Sequence, residues 1–223
     1  MTHIYLSHFM GPDTPFYGGD GSFQVEPLRS MEAGDPCNTC SWSFPNHAGT
    51  HIDLPLHFVH GGKRMDDYSP DFWIFHHVAV VDISGVTPGS VISSDMLDTQ
   101  HIPSSVELLL LKTGFGSTRG TPAYWQAGPV FSPELADYLR SRFSHLRVFG
   151  FDAISVSSWT DRATGREAHR AFLGGDRPIL LLEDMDLSLV NELQNILSVT
   201  VAPLLVAGAD ASPCTIIAEV AKS

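Results

Sequence analysis

Positive charge is scarce in this chain. Its 223 residues include 13 Lys and Arg against 25 Asp and Glu, a formal net charge of −12. The phosphates of a nucleic acid or an anionic membrane surface would repel such a protein, so neither is expected as a partner. Cysteine is nearly lacking as well: three residues are too few for a disulfide scaffold. Long apolar runs are missing. The greasiest stretches, Val106–Leu111 (broken by Glu107), Pro178–Leu182 and Val201–Ala209, are strand-sized and fall short of the roughly 18 residues of a membrane helix. The opening Met1–Tyr5 lacks the basic and apolar regions of a signal peptide. No repeat, low-complexity tract or Pro/Ser-rich linker divides the chain. These absences lead us to expect a cytoplasmic, single-domain protein spanning residues 1–223.

What is present fits a globular enzyme-sized core. Hydrophobic residues make up 43% and charged residues 17%, which excludes a disordered chain or a coiled coil. A chain of this length buries roughly 70–75% of its unfolded surface. The first sixty residues are rich in turn signals, among them Gly11-Pro12, Gly18-Gly19-Asp20-Gly21 and Gly34-Asp35-Pro36. Beyond them, His77–Ile83, Val106–Leu111, Leu146–Phe151, Pro178–Leu182 and Thr200–Val206 read as buried strands. Ser132–Phe143 reads as a helix, with Ser before Pro and Glu and apolar residues at helical spacing. Asp161–Phe172 and Ser188–Asn195 suit short helices. Strands outnumber helices and several are apolar on both faces. The expected class is therefore α/β, a mixed sheet with helices packed on it.

Chemistry concentrates between residues 47 and 58. Three of the 11 histidines, His47, His51 and His57, share the window HAGTHIDLPLHF with Asp53. Imidazole and carboxylate are ligands for zinc, manganese or iron. Crowding them without a cation would be costly to desolvate. All four stand at odd positions, so an extended segment projects them to one face. A straight strand would nevertheless hold His47 and His51 about 13 Å apart. The segment must bend, and Gly49 and Pro55 are the residues that allow it.

The window resembles the H-x-G-T-H-x-D-x-P-x-H-F signature of the cyclase, or kynurenine-formamidase-like, family of metal-dependent hydrolases. The likeness runs on through YLSH…TPFYGGD, GGKRMDDYSPDFWIFHHVAVVDI, LLLLKTGFG, FGFDAISVSSWTDRATGREAHRAFL, ILLLED and PLLVAGADASPC. It implies a swivelling β/β/α fold and a homo-oligomer, dimer or larger. It also implies a site of two divalent ions, zinc with manganese as the alternative. On that likeness His47 and His51 match ligands of the first ion, Asp53 and Glu183 match bridging carboxylates, and His169 matches a ligand of the second ion. His57 matches a catalytic histidine outside the ligand set, and Tyr17 an aromatic substrate contact. Bound zinc lowers the pKa of its water to about 7, so hydroxide becomes available to attack a carbonyl. The implied activity is hydrolysis of a small amide or formamide such as N-formylkynurenine. A lactam, lactone or ester hydrolase is the alternative, and a metal-binding module without catalysis is the rival of another class. Ala48 and Leu54 depart from the usual Thr and Ala, and the His169-to-Glu183 gap is slightly long; both bear on the substrate more than on the metals.

Other candidates have plainer readings. Cys37-Asn38-Thr39-Cys40 has no second pair to complete a zinc site and reads as free thiols. Gly18–Gly21 lacks the Lys-Ser/Thr of a phosphate loop. Ser155, Ser157 and Ser158 have no G-x-S-x-G elbow around them. His76 and His77 read as packed or hydrogen-bonded, and His60 as an exposed turn residue. Asp152 reads equally as an orienting group or as core support. Phe58, Trp73 and Cys214 are further candidates for pocket walls.

Overall fold

Apolar runs far apart in the sequence become neighbours in one sheet. A computed structural model describes residues 1–98, 101–189 and 196–221. In chain order the elements are β1 (Thr2–Tyr5), β2 (Gln24–Arg29), β3 (Thr39–Ser43), β4 (His51–Asp53), β5 (Ile74–Phe75), β6 (Val78–Asp82) and β7 (Val91–Ile92). There follow α1 (Asp95–Asp98), β8 (Leu108–Lys112), α2 (Pro122–Gln126), β9 (Val130–Phe131) and α3 (Pro133–Arg142). The last are β10 (Val148–Phe151), α4 (Arg162–Leu173), β11 (Leu180–Glu183), β12 (Ile196–Pro203) and β13 (Ala211–Val220). The helix expected at Ser188–Asn195 lies almost wholly outside the described residues.

Among the described residues nine strands form the main sheet. Eight lie in the order β5-β12-β13-β4-β11-β10-β8-β6, and β1 joins it along β13. The half built from β6, β8, β10 and β11 is parallel. The half built from β4, β13, β12 and β5 is antiparallel. The mixed sheet and its helices match the α/β class expected from the sequence. Leu108, Leu109, Leu110 and Leu111 are all fully buried, which is why β8 shows no alternation: a parallel strand covered on both faces selects apolar residues at every position. α3 opens on Pro133 after Ser132 and buries Leu135, Ala136 and Leu139. α4 is capped by Asp161, whose side chain accepts the Thr164 N–H, and buries Gly165, Ala168, His169, Phe172 and Leu173.

This topology positions the chemistry. In the β4–β11 ladder His51 faces Glu183 and Asp53 faces Leu181. Residues two apart share a face, so His51, Asp53 and Glu183 point the same way while Ile52 and Leu54 enter the core on the other. α4 packs over β11 and brings His169 down onto that face. Gly165 permits the approach, since a Cβ there would lie 2.1 Å from the Ser157 hydroxyl oxygen.

Four elements depart from the sequence expectation. The turn-rich opening contains the antiparallel pair β2–β3, whose residues are all exposed. With no buried face there is no apolar alternation to read. The ten-residue β13 was not expected from the sequence, and β12 begins and ends earlier than the Thr200–Val206 run. Pro213 breaks the pattern of β13, yet it sits opposite His51 in the sheet; a proline is tolerated where its missing N–H is not needed by the ladder. Among the described residues no helix is long and apolar enough to cross a membrane.

Candidate metal centre

The bend expected at Gly49 is present. Gly49 adopts φ 60°, a left-handed conformation that costs glycine little, and Pro55 opens a short turn through His57. The ring centroids of His47 and His51 consequently lie 5.1 Å apart, against the roughly 13 Å of a straight strand.

Around Asp53 the side chains converge. Its Oδ1 lies 2.9 Å from His47 Nδ1 and 3.4 Å from His51 Nε2, and its Oδ2 lies 3.5 Å from His169 Nε2. Glu183 closes the group, with Oε2 3.5 Å from His51 Nε2 and Oε1 3.7 Å from His169 Nε2. Asp53, His51, His169 and Glu183 are all buried. Asp53 is shared by two sets of three, His47–Asp53–His57 and His51–Asp53–Glu183, whose ligand atoms lie within 4.8 Å of one another. All five residues expected to hold metal thus meet, although His169 and Glu183 come from the last third of the chain. His57, expected to stand outside the ligand set, lies within the same reach.

Hydrogen bonding to the far side of each ring fixes what the near side presents. His51 Nδ1 is 2.8 Å from the Gly49 carbonyl and His169 Nδ1 is 2.8 Å from the Gly165 carbonyl. A carbonyl only accepts, so Nδ1 carries the proton in both rings. In the neutral ring Nε2 then turns a lone pair toward carboxylates that are themselves acceptors. That arrangement calls for a cation between the groups or a second proton on each ring. His51 Nε2 and both Asp53 oxygens are buried without a hydrogen-bond partner, an arrangement that folded proteins avoid unless an ion or a proton completes it. The donor set fits divalent metal ions.

Charge balance tells the same story. Burial opposes charge on His51, but the close carboxylates of Asp53 and Glu183 outweigh it and raise the ring's pKa to about 9. His169 is raised in the same way. Burial alone would push the Asp53 carboxyl up; the imidazoles of His169, His47 and His51 gathered around it hold it well below its usual range. Glu183 is pushed up to about 7 by burial and by the neighbouring charge of Asp53. A cluster that gathers protons in this way is built around positive charge.

Asp210 was not foreseen from the sequence. Its Oδ2 lies 3.1 Å from His57 Nδ1 and 3.6 Å from His47 Nε2. Its Oδ1 accepts from Asn46 Nδ2 at 2.8 Å. Burial, the strongest influence on His57, lowers its pKa. A second unforeseen network braces the other end. Asp184 follows Glu183 with φ 52°, and its carboxylate takes the Arg119 fork at 2.8 Å on both oxygens and the Tyr124 hydroxyl at 2.5 Å. The Thr50 hydroxyl donates to the Asp184 carbonyl at 2.5 Å. The residue before His51 is thereby tied to the residue after Glu183.

A pocket of about 320 Å³ opens onto this cluster. Tyr17 lines it, as expected, with its hydroxyl donating to the Ser158 carbonyl at 3.1 Å and its ring edge-on to Trp159 at 5.6 Å. Phe58 lines it too and stacks on His169 with ring centroids 4.4 Å apart. Trp73 and Cys214 are corrections: both are buried, but neither lines this pocket. Trp73 packs with Tyr68 and Phe72, and the Cys214 N–H is held by the Thr50 carbonyl. Asp152 supports a loop, accepting the N–H groups of Thr113 and Gly114. Ser155 and Ser157 brace Glu183 and His169, each from 3.4 Å. Gly18 and Gly19 lie beneath Trp159 and Trp125, where a Cβ would come within 2.8 and 2.9 Å of the indole rings. Cys37 and Cys40 are free thiols.

A mixed sheet presenting such a cluster defines the cyclase class. The family model Cyclase, described as "Putative cyclase", matches residues 4–158, and the chain belongs to that family. Among curated relatives it is 26% identical over 210 residues to the kynurenine formamidase of Bacillus anthracis, covering 94% of this chain and 93% of that one. It is 29% identical over 175 residues to the kynurenine formamidase of Erythrobacter litoralis (strain HTCC2594), covering 78% of this chain and 76% of that one. Among solved structures, isatin hydrolase A from Labrenzia aggregata, bound to benzyl benzoate, superposes with a TM-score of 0.80 at 21% identity. That alignment covers 99% of this chain and 94% of the other.

Proposed function

We propose that the chain is one metal-dependent hydrolase domain that cleaves the C–N bond of a small amide or formamide. One observation carries the reading: Asp53 is buried between three imidazoles with both oxygens unpartnered, at the floor of an open pocket. In this reading His47 and His51 would serve one divalent ion and His169 a second, with the Asp53 and Glu183 carboxylates shared between the two. Imidazole and carboxylate donors suit zinc, or manganese. Divalent cations bound there supply Lewis acidity and lower the pKa of water to about 7.

The chain's own groups do the remainder. The Asp210 carboxylate accepts a hydrogen bond from His57 Nδ1–H, which leaves Nε2 free to take a proton from the attacking water and return it to the leaving nitrogen. Burial keeps that ring neutral and so able to accept. Tyr17 and Phe58 line the pocket, and their rings suit an aryl group there. The names of the curated relatives support a formamide such as N-formylkynurenine. The aromatic wall equally admits a fused lactam, the substrate type named by the isatin hydrolase fold neighbour. A cavity of about 320 Å³ beside His57 supports catalysis over metal storage alone.

The test is a panel of formamides, lactams, lactones and esters assayed with metal-loaded protein and with His57→Ala. Turnover that depends on His57 is expected. Retained metal with no turnover of any substrate would favour the non-catalytic binding module.

We also propose a homo-oligomer acting in a reducing cytoplasm. The exposed apolar side chains of Val25, Leu28, Trp42, Leu204 and Leu205 support an assembly, and the free thiols support the compartment. Sedimentation of the wild type and of Trp42→Glu tests the first point; a monomer in both would overturn it.

A further inference from the structure

We propose that Arg162 and Arg166 form an anion-reading wall of the pocket, so that the substrate carries a free carboxylate on the apolar group next to the bond that is cleaved. The inference rests on the hydrolase reading for the cleavage, but its anion site is defined independently by α4.

α4 carries Arg162, Arg166 and Arg170 at a spacing of four, which aligns them along one stripe of the helix. Three of the chain's 13 basic residues are therefore gathered on one helix of a protein with net charge −12. A solvated helix face would account for the stripe alone. Two facts go further. Arg162 and Arg166 line the same pocket as His51, Asp53 and Glu183. And among the described residues neither joins an ion pair, whereas Arg119, Arg140 and Arg147 are engaged by Asp184, Asp137 and Glu107. The two pocket guanidiniums thus keep their donors for a ligand.

The setting of Arg162 is pre-organised. The Arg162 guanidinium lies over the Trp159 ring, 4.8 Å from its centroid, and Trp159 is itself held between Tyr17 and Trp125. Stacking of this kind fixes the plane of the fork and lowers the entropy lost when it grips a carboxylate. Both guanidiniums act on the Tyr17 hydroxyl: burial disfavours its ionised form, and the two cations favour it. Their charge is therefore felt at Tyr17, which lines the same pocket.

The pocket is then graded in chemistry. Its floor is the His and carboxylate cluster, one side is apolar at Pro15, Phe58 and Ile154, and the mouth along α4 is cationic. Without the two arginines an anionic substrate would approach across the surface of a chain with net charge −12. With them, a planar carboxylate finds bidentate donors. A neutral amide has nothing to offer there.

The experiment compares N-formyl-3-aminobenzoate with the uncharged formanilide, using metal-loaded wild type, the double variant Arg162→Gln/Arg166→Gln, and Arg166→Lys. The expected wild-type kcat/KM ratio favours the carboxylate by at least about tenfold. The ratio should fall toward one in the double variant and be partly kept in Arg166→Lys. A wild-type ratio near one, or a ratio unchanged in the double variant, overturns the inference and leaves the hydrolase standing. Calorimetry of benzoate against benzamide gives a readout free of turnover. If neither formamide is cleaved, the formamide reading fails alone. The anion wall then stands if benzoate binds and the double variant weakens it about tenfold. It falls if benzoate does not bind or binds both proteins equally.

Discussion

Asp210 Oδ2 lies 3.1 Å from His57 Nδ1, a carboxylate–imidazole pair that joins the two ends of the chain's chemistry. Asp210 also approaches His47 from 3.6 Å, so its charge touches both a candidate proton carrier and a candidate ligand. Asp210→Asn keeps the shape and can hydrogen-bond His57, but it no longer selects the ring form with Nδ1 protonated. We expect kcat to fall about 10- to 100-fold while the metal content is kept, following the usual cost of losing such a partner. Steady-state kinetics beside elemental analysis checks this. An unchanged kcat would remove Asp210 from the proton path.

Asp53 stands in both sets of three residues. Asp53→Asn should therefore reduce the loading of both ions together, and activity with them. The measurement is metal per chain after dialysis against limiting zinc. Normal content in the variant would contradict the bridge.

Proton uptake by the metal-free cluster has a definite sign. His51 rises from an ordinary 6.5 to about 9 and Glu183 from 4.5 to about 7. Both bind protons more tightly in the folded protein. Their protonated forms stabilise the fold fully below the unfolded values, and this contribution is lost as pH climbs through the folded ones. The melting temperature of the metal-free protein should therefore decline between about pH 5 and pH 9. Metal replaces these protons, so the shift in Tm on adding zinc should widen over the same window. Calorimetry across that range checks it; a shift independent of pH would refute the proton exchange.

Gly165 tests the packing. With a Cβ only 2.1 Å from Ser157 Oγ, Gly165→Ala should push α4 outward and destabilise the fold by about 1–3 kcal/mol. His169 takes its orientation from the Gly165 carbonyl, so metal loading should weaken as well. Urea unfolding gives the first number and metal titration the second.

The sequence carried the buried parallel strands and the 47–57 cluster well, each for a physical reason. β8 and β10 are buried at every position but Lys112, and that burial writes itself into the composition. His47, His51 and Asp53 are close in the chain, and their density alone argues for a cation. His169 and Glu183 became legible only through the likeness to a family, because nothing local on α4 or β11 says what they will meet. Asp210 and the Arg119–Asp184–Tyr124 network were illegible. Their partners lie between 60 and 153 positions away, and a lone acid after Gly208 looks like any turn residue. The β2–β3 pair escaped because it has no inward face.

β4 is three residues long, yet both of its sheet neighbours, β11 and β13, come from the far end of the chain. Thr50 reaches Asp184 across 134 positions. Loop closure over such distances must precede any gain from the contacts it brings. Refolding of this protein should accordingly be slow, with the parallel half collapsing before the reactive hollow takes shape. Intermediates that are compact but unable to chelate would then accumulate, and a cation added early to the refolding buffer would find nothing yet to grip.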